Sequence, residues 1–166
     1  MHTLRIARSV VVAMCLVACG GDDDDNNGGN GGDPGTAVAS KPLTGTIDGR
    51  AFTAVSALAT DGFDGEKFID IYDVQRDCDD FAPLPTGGRS ILLSTEWKPM
   101  SQQLSLSNSV TFVIEEANGP NNIIVTQGRL ELIDTPTAAG QTGTLRLRAT
   151  DGEDNVEGQV SVTVCE

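Results

Sequence analysis

The chain has 166 residues, with 24 Asp/Glu against 11 Lys/Arg and a formal charge of −13. A field of that sign repels nucleic acid and bare anionic lipid, and no basic stripe interrupts it, so a nucleic-acid partner is excluded. The one histidine is His2, inside a basic-then-apolar leader, which leaves the remainder without Ser–His or Cys–His nucleophilic pairs and without His-ligated zinc.

Arg5 and Arg8 precede a short apolar run over residues 9–18. This is the pattern of an export signal, and the run is too short to span a bilayer. It ends in Leu16-Val17-Ala18-Cys19, which resembles the lipobox of bacterial lipoproteins. The resemblance implies cleavage after Ala18, a diacylglycerol on the Cys19 thiol, and palmitate-type acylation of the new amino group. It also implies outer-membrane localisation, because Gly20 stands where an Asp would favour inner-membrane retention. Two or three acyl chains hold durably where a single chain holds only marginally, each buried CH₂ contributing about 0.8 kcal/mol. Cys15 lies within the leader and is expected to be discarded with it.

Residues 19–40 read as a lipidated Cys followed by a flexible Gly/Asp/Asn tether. With almost nothing apolar, the tether cannot bury enough surface to order itself. As a coil of about 21 residues it reaches about 25 Å. The acids Asp22 to Asp25 also resemble the export signals of some surface-displayed lipoproteins.

Residues 41–166 read as a single domain carrying 19 Asp/Glu and 9 Lys/Arg, a net −10. That length supports one modest hydrophobic core. The opening stretch predicts a hairpin, strand 44–47 and strand 51–59 about Asp48-Gly49, a pair suited to the positive φ angles of a tight I′ turn. A turn over 61–65 leads to a strand over 67–74. Residues 75–88 read as an irregular loop, since Pro83 and Pro85 forbid a central strand. Strand 89–96 follows, then a short strand around Leu104 and Leu106. Val110, Phe112 and Ile114 alternate with Thr111, Val113 and Glu115, and Asn118-Gly119-Pro120-Asn121 reads as a turn. Residues 123–133 give one long strand, or two broken at Gly128. The last quarter pairs strand 143–149 with strand 156–165 across Asp151-Gly152-Glu153-Asp154-Asn155.

Eight to nine short strands, each with one polar face, predict an all-β fold, an antiparallel β-sandwich or barrel. Strands of a parallel sheet would be apolar throughout. After Cys19 two cysteines remain, Cys78 and Cys165. In an oxidising compartment an even count predicts a disulfide. In the chain-entropy account a loop of that length gives about 4–5 kcal/mol. Cys165 alternates out of register with the valines before it, so the bridge is expected at the strand's end or on an outer face.

The whole layout resembles a class of uncharacterised lipoproteins found in myxobacteria and related Gram-negative bacteria. The shared features are the lipobox, the acidic glycine tether, the hairpin over residues 47–52, Cys78, and a terminal strand ending in Cys165. The resemblance implies no activity.

No nucleophile elbow, phosphate loop or dinucleotide glycine motif occurs. No catalytic residue, cofactor or metal ligand is assigned. The acid groups Asp77, Asp79, Asp80 and Asp151, Glu153, Asp154 do not match a calcium loop and read as solvated turns. A carboxylate-based enzyme would lack the aromatic platforms that sugar clefts use. The sequence therefore points to a membrane-anchored, non-catalytic envelope module whose partner is another envelope component. A small-ligand or calcium-binding domain is the alternative.

Overall fold

The computed structural model describes residues 36–80 and 82–166. The leader, the lipidation site Cys19 and most of the tether lie outside the described residues. Eleven strands follow in chain order: β1 (Thr44–Ile47), β2 (Arg50–Thr53), β3 (Ser56–Asp61), β4 (Glu66–Tyr72), β5 (Arg89–Glu96), β6 (Met100–Gln103), β7 (Val110–Glu116), β8 (Gly119–Val125), β9 (Gln127–Asp134), β10 (Thr142–Asp151) and β11 (Asp154–Val164). Among the described residues there is no helix.

Nine strands lie on one hydrogen-bonded path, β6-β9-β10-β11-β3-β4-β5-β7-β8, which curls into a half-barrel. The β1–β2 hairpin branches from β11. The all-β expectation holds, with one correction. Among the described residues the main path has the expected nine strands and the β1–β2 hairpin adds two, while the sheet is mixed rather than antiparallel because β11 and β3 run parallel through Thr163↔Leu58 and Val164↔Ala59. These two strands come from opposite parts of the chain, so no hairpin imposes an antiparallel direction on them.

β11 is the hub. It pairs with β10 from Thr163 back to Asp154 along one edge. Its other edge is shared, with β1 meeting Asn155 to Glu157 and β3 meeting the far end. Between them, the Leu43 N–H donates to Gln159 O and the Gln159 N–H to Lys41 O. Gly158 permits this crossing, since a Cβ there would lie 2.4 Å from Pro42 O and the residue holds φ +145°.

Alternation sets the core. Ile69 and Ile71, Ile91 and Leu93, Phe112 and Ile114, Leu145 and Leu147 all turn inward and are buried in one cluster. The turn between β1 and β2 takes the expected form, with Asp48 at φ 54° and Gly49 at φ 65°.

Four expectations along the chain change. The stretch 51–59 is two strands, because the chain switches partners. The Ala54 N–H donates to Leu43 O and the Val55 N–H to Tyr72 O. The strand expected around Leu104 and Leu106 is instead Met100–Gln103. Leu104 is buried behind it and Leu106 is exposed. The turn before β8 is Ala117-Asn118, fixed by Glu116↔Gly119, so Pro120 lies in a strand. β8 ends the path, and an edge strand tolerates the missing donor. The break between β8 and β9 falls at Thr126 rather than Gly128.

Residues 36–40, expected in the tether, rest against the outer face of β9–β10–β11. Arg148 Nη1 donates to Thr36 Oγ1 at 2.9 Å and Nη2 to Ala37 O at 3.1 Å. Val38 is buried, and its N–H donates to Glu131 Oε1.

Candidate functional site

Cys78 and Cys165 form a disulfide with their Cα atoms 5.5 Å apart and a sequence separation of 87. Cys165 is buried just past the end of β11, where its N–H donates to Ala59 O. It follows Thr163 on the outward alternation, so the bridge ties the 73–88 loop to the outside of the sheet, as the alternation predicted.

Arg76 organises that loop. Its N–H donates to Ser56 Oγ, and the Ser56 hydroxyl donates to Val74 O. Its guanidinium reaches Ala82 O at 2.6 Å and the Asp80 carboxylate at 2.8 Å, and it lies 5.6 Å from the centre of the Tyr72 ring. Sequence reasoning missed Arg76; its one local signal is the acid four residues later. Asp80 is thus an ion-pair partner and also accepts the Ala82 N–H. Among the described residues, no group of three or more His, Cys, Asp or Glu side chains is placed to hold a metal. Asp154 accepts the Gly49 N–H and so braces the β1–β2 turn.

Beside the bridge, where β11 and β3 diverge, is a pocket of about 380 Å³. Ser56, Arg76, Cys78, Ser161 and Thr163 line it with the apolar Val55 and Leu58. It opens on the side of Ser56, Leu58, Ser161 and Thr163, and the core residue Ala57 also lines it.

Two outer faces differ in charge. On β9–β10–β11, the Arg129 Nε donates to Glu131 Oε1, and the Arg148 Nε and Nη2 donate to Glu157 Oε1. Burial raises the Glu157 pKa, but hydrogen bonds from Arg148 and the Ala39 N–H, with the nearby Arg148 and Lys41 charges, outweigh it and hold it low. On β3–β4–β5–β7–β8, the cross-strand row Leu58, Asp70, Leu92, Thr111, Ile124 runs the width of the sheet. Burial pushes the Asp70 carboxyl above its ordinary value. Burial and the Asp70 charge together raise the Tyr72 pKa, with Arg76 opposing them.

Comparison with protein-family models, with curated proteins and with solved structures gives no match.

Proposed function

We propose that this chain is an exported lipoprotein, lipid-anchored through Cys19 at the outer membrane, whose β-domain acts as a non-catalytic envelope interaction module. The observation that carries it is Leu16-Val17-Ala18-Cys19 at the end of a basic-then-apolar leader. The Gly/Asp/Asn tether that follows and a disulfide suited to an oxidising compartment support it. Intact-mass measurement of membrane-extracted protein should show acyl additions on a chain starting at Cys19. Cys19→Ala should leave the protein soluble or unprocessed. An unmodified chain starting elsewhere would end the reading.

A second reading, a small-ligand binder, draws on the pocket of about 380 Å³ beside the bridge. A ligand held there at 100 times its dissociation constant adds about 2.7 kcal/mol to stability. Thr163→Phe, which fills the mouth, should abolish the rise in melting temperature that such a ligand produces.

A further inference from the structure

We propose that the outer face of β3–β4–β5–β7–β8 docks a cationic amphipathic segment of a partner protein, with a basic side chain meeting Asp70 and apolar side chains covering Leu92 and Ile124. The proposal rests on the interaction-module reading and names its surface and the chemistry of its partner.

The face is apolar at its centre. Leu92 and Ile124 are 37% and 64% exposed, on the same row as Leu58. Phe63, 79% exposed, packs edge-on against Phe68 at one end. The row crosses five strands, about 19 Å at the usual strand spacing. About twelve residues of helix cover that length.

Charge selects the partner's sign. The outward positions of these strands hold four carboxylates, Glu66, Asp70, Glu96 and Glu115, and no Lys or Arg; Lys98 just past β5 pairs with Glu96 and Arg76 lies against Tyr72, so the cations at the edges leave Asp70 unpaired. The Asp70 carboxylate makes no hydrogen bond or ion pair among the described residues, and Leu58 and Leu92 flank it across the strands. A cation placed there finds a carboxylate already partly withdrawn from water, where a charge-assisted hydrogen bond is stronger than at a solvated site. The β9–β10–β11 face offers no such opening. Its outward Arg129, Arg146 and Arg148 engage Glu131 and Glu157, and residues 36–38 lie over it. A second copy would bring carboxylates against carboxylates, and an anionic lipid surface would meet the same repulsion.

The test uses the full chain in nanodiscs of zwitterionic lipid and a labelled helical peptide of lysine and leucine with one basic and one apolar face. Binding is read by fluorescence anisotropy at physiological salt, with empty nanodiscs subtracted. Asp70→Asn and Leu92→Ser should each weaken binding at least tenfold. Asp151→Asn, which removes the same charge at the β10–β11 turn, should change it less than twofold. Equal losses from Asp70→Asn and Asp151→Asn would reduce the effect to net charge and overturn the assignment. A dimer that Leu92→Ser converts to monomer, or binding of phosphatidylglycerol vesicles through this face, would overturn it in favour of the other occupants. Photo-crosslinkers placed at positions 92 and 151 of the anchored protein in cells separate the two levels of the argument. Adducts with an envelope protein from position 92 that Asp70→Asn removes support both, and adducts from position 92 that Asp70→Asn leaves unchanged overturn the cationic docking and leave the interaction module standing. Adducts only from position 151 overturn this face and leave the interaction module standing, and adducts from neither overturn both.

Discussion

A carboxyl group at position 70 sits in a row between Leu58 and Leu92, and burial alone lifts its pKa. A folded-state pKa above the ordinary 3.8 means that stability linked to this group is full below that value and is lost as pH rises through the raised one. Asp70→Asn should therefore raise the melting temperature at pH 7, and the gain should vanish in acid, where both side chains are neutral. Glu157 behaves in the opposite sense. Its pKa is held below 4.5, so its contribution is present above that value and fades as pH falls through the lowered one. Glu157→Gln should cost about 1 kcal/mol at neutral pH, the range of a partly exposed ion pair, and less in acid; urea titrations at the two pH values measure the difference. At the bridge, Cys165→Ser should cost about 2–5 kcal/mol, read as a lowered melting temperature under non-reducing conditions. Peptide mapping without reductant should recover Cys78 joined to Cys165.

Among the elements, residues 36–40 act as a strap held by Arg148 together with Glu131, Glu157 and the burial of Val38. Arg148→Ala removes the donors to Thr36 and Ala37. Amide exchange at Val38 and Ala39 should then speed up by tenfold or more while the β10–β11 ladder stays protected. Inside the sheet, Phe112→Ala should cost about 3–5 kcal/mol, because Phe112 is fully buried where β5, β7 and β8 meet the core. Strands β5, β7, β10 and β11 were legible in the sequence because each buries one face, and that burial imposes a period of two. The partner switch at Ala54-Val55 was not, since nothing local marks a chain that leaves one neighbour for another. Nor was β6, whose Met-Ser-Gln-Gln carries no alternation and pairs only at the edge of β9. The bridge could be read from a count of two cysteines. The roles of Arg76, Arg148 and Asp70 could not, because each depends on neighbours brought together by the sheet or the folded loop.

At the scale of the whole molecule, a described region rich in acids carries them on turns and on both outer faces, with one buried apolar cluster inside. Melting should shift little between millimolar calcium and chelator, beyond general screening at a Debye length of about 8 Å. A calcium-specific rise that magnesium does not reproduce, and that Asp79→Asn or Asp154→Asn removes, would instead establish an ion site. The branching at β11 bears on the order in which the domain can close. β1, β3 and β10 all find a partner in residues 154–164, so a chain emerging N-terminus first carries three open edges until that stretch has followed. Its contacts join distant parts of the sequence, which slows folding relative to local hairpins. Cooperative collapse of the domain is therefore expected to wait for the eleventh strand. A chain ending at residue 153 should show no cooperative melting transition, whereas the chain through residue 166 should show one.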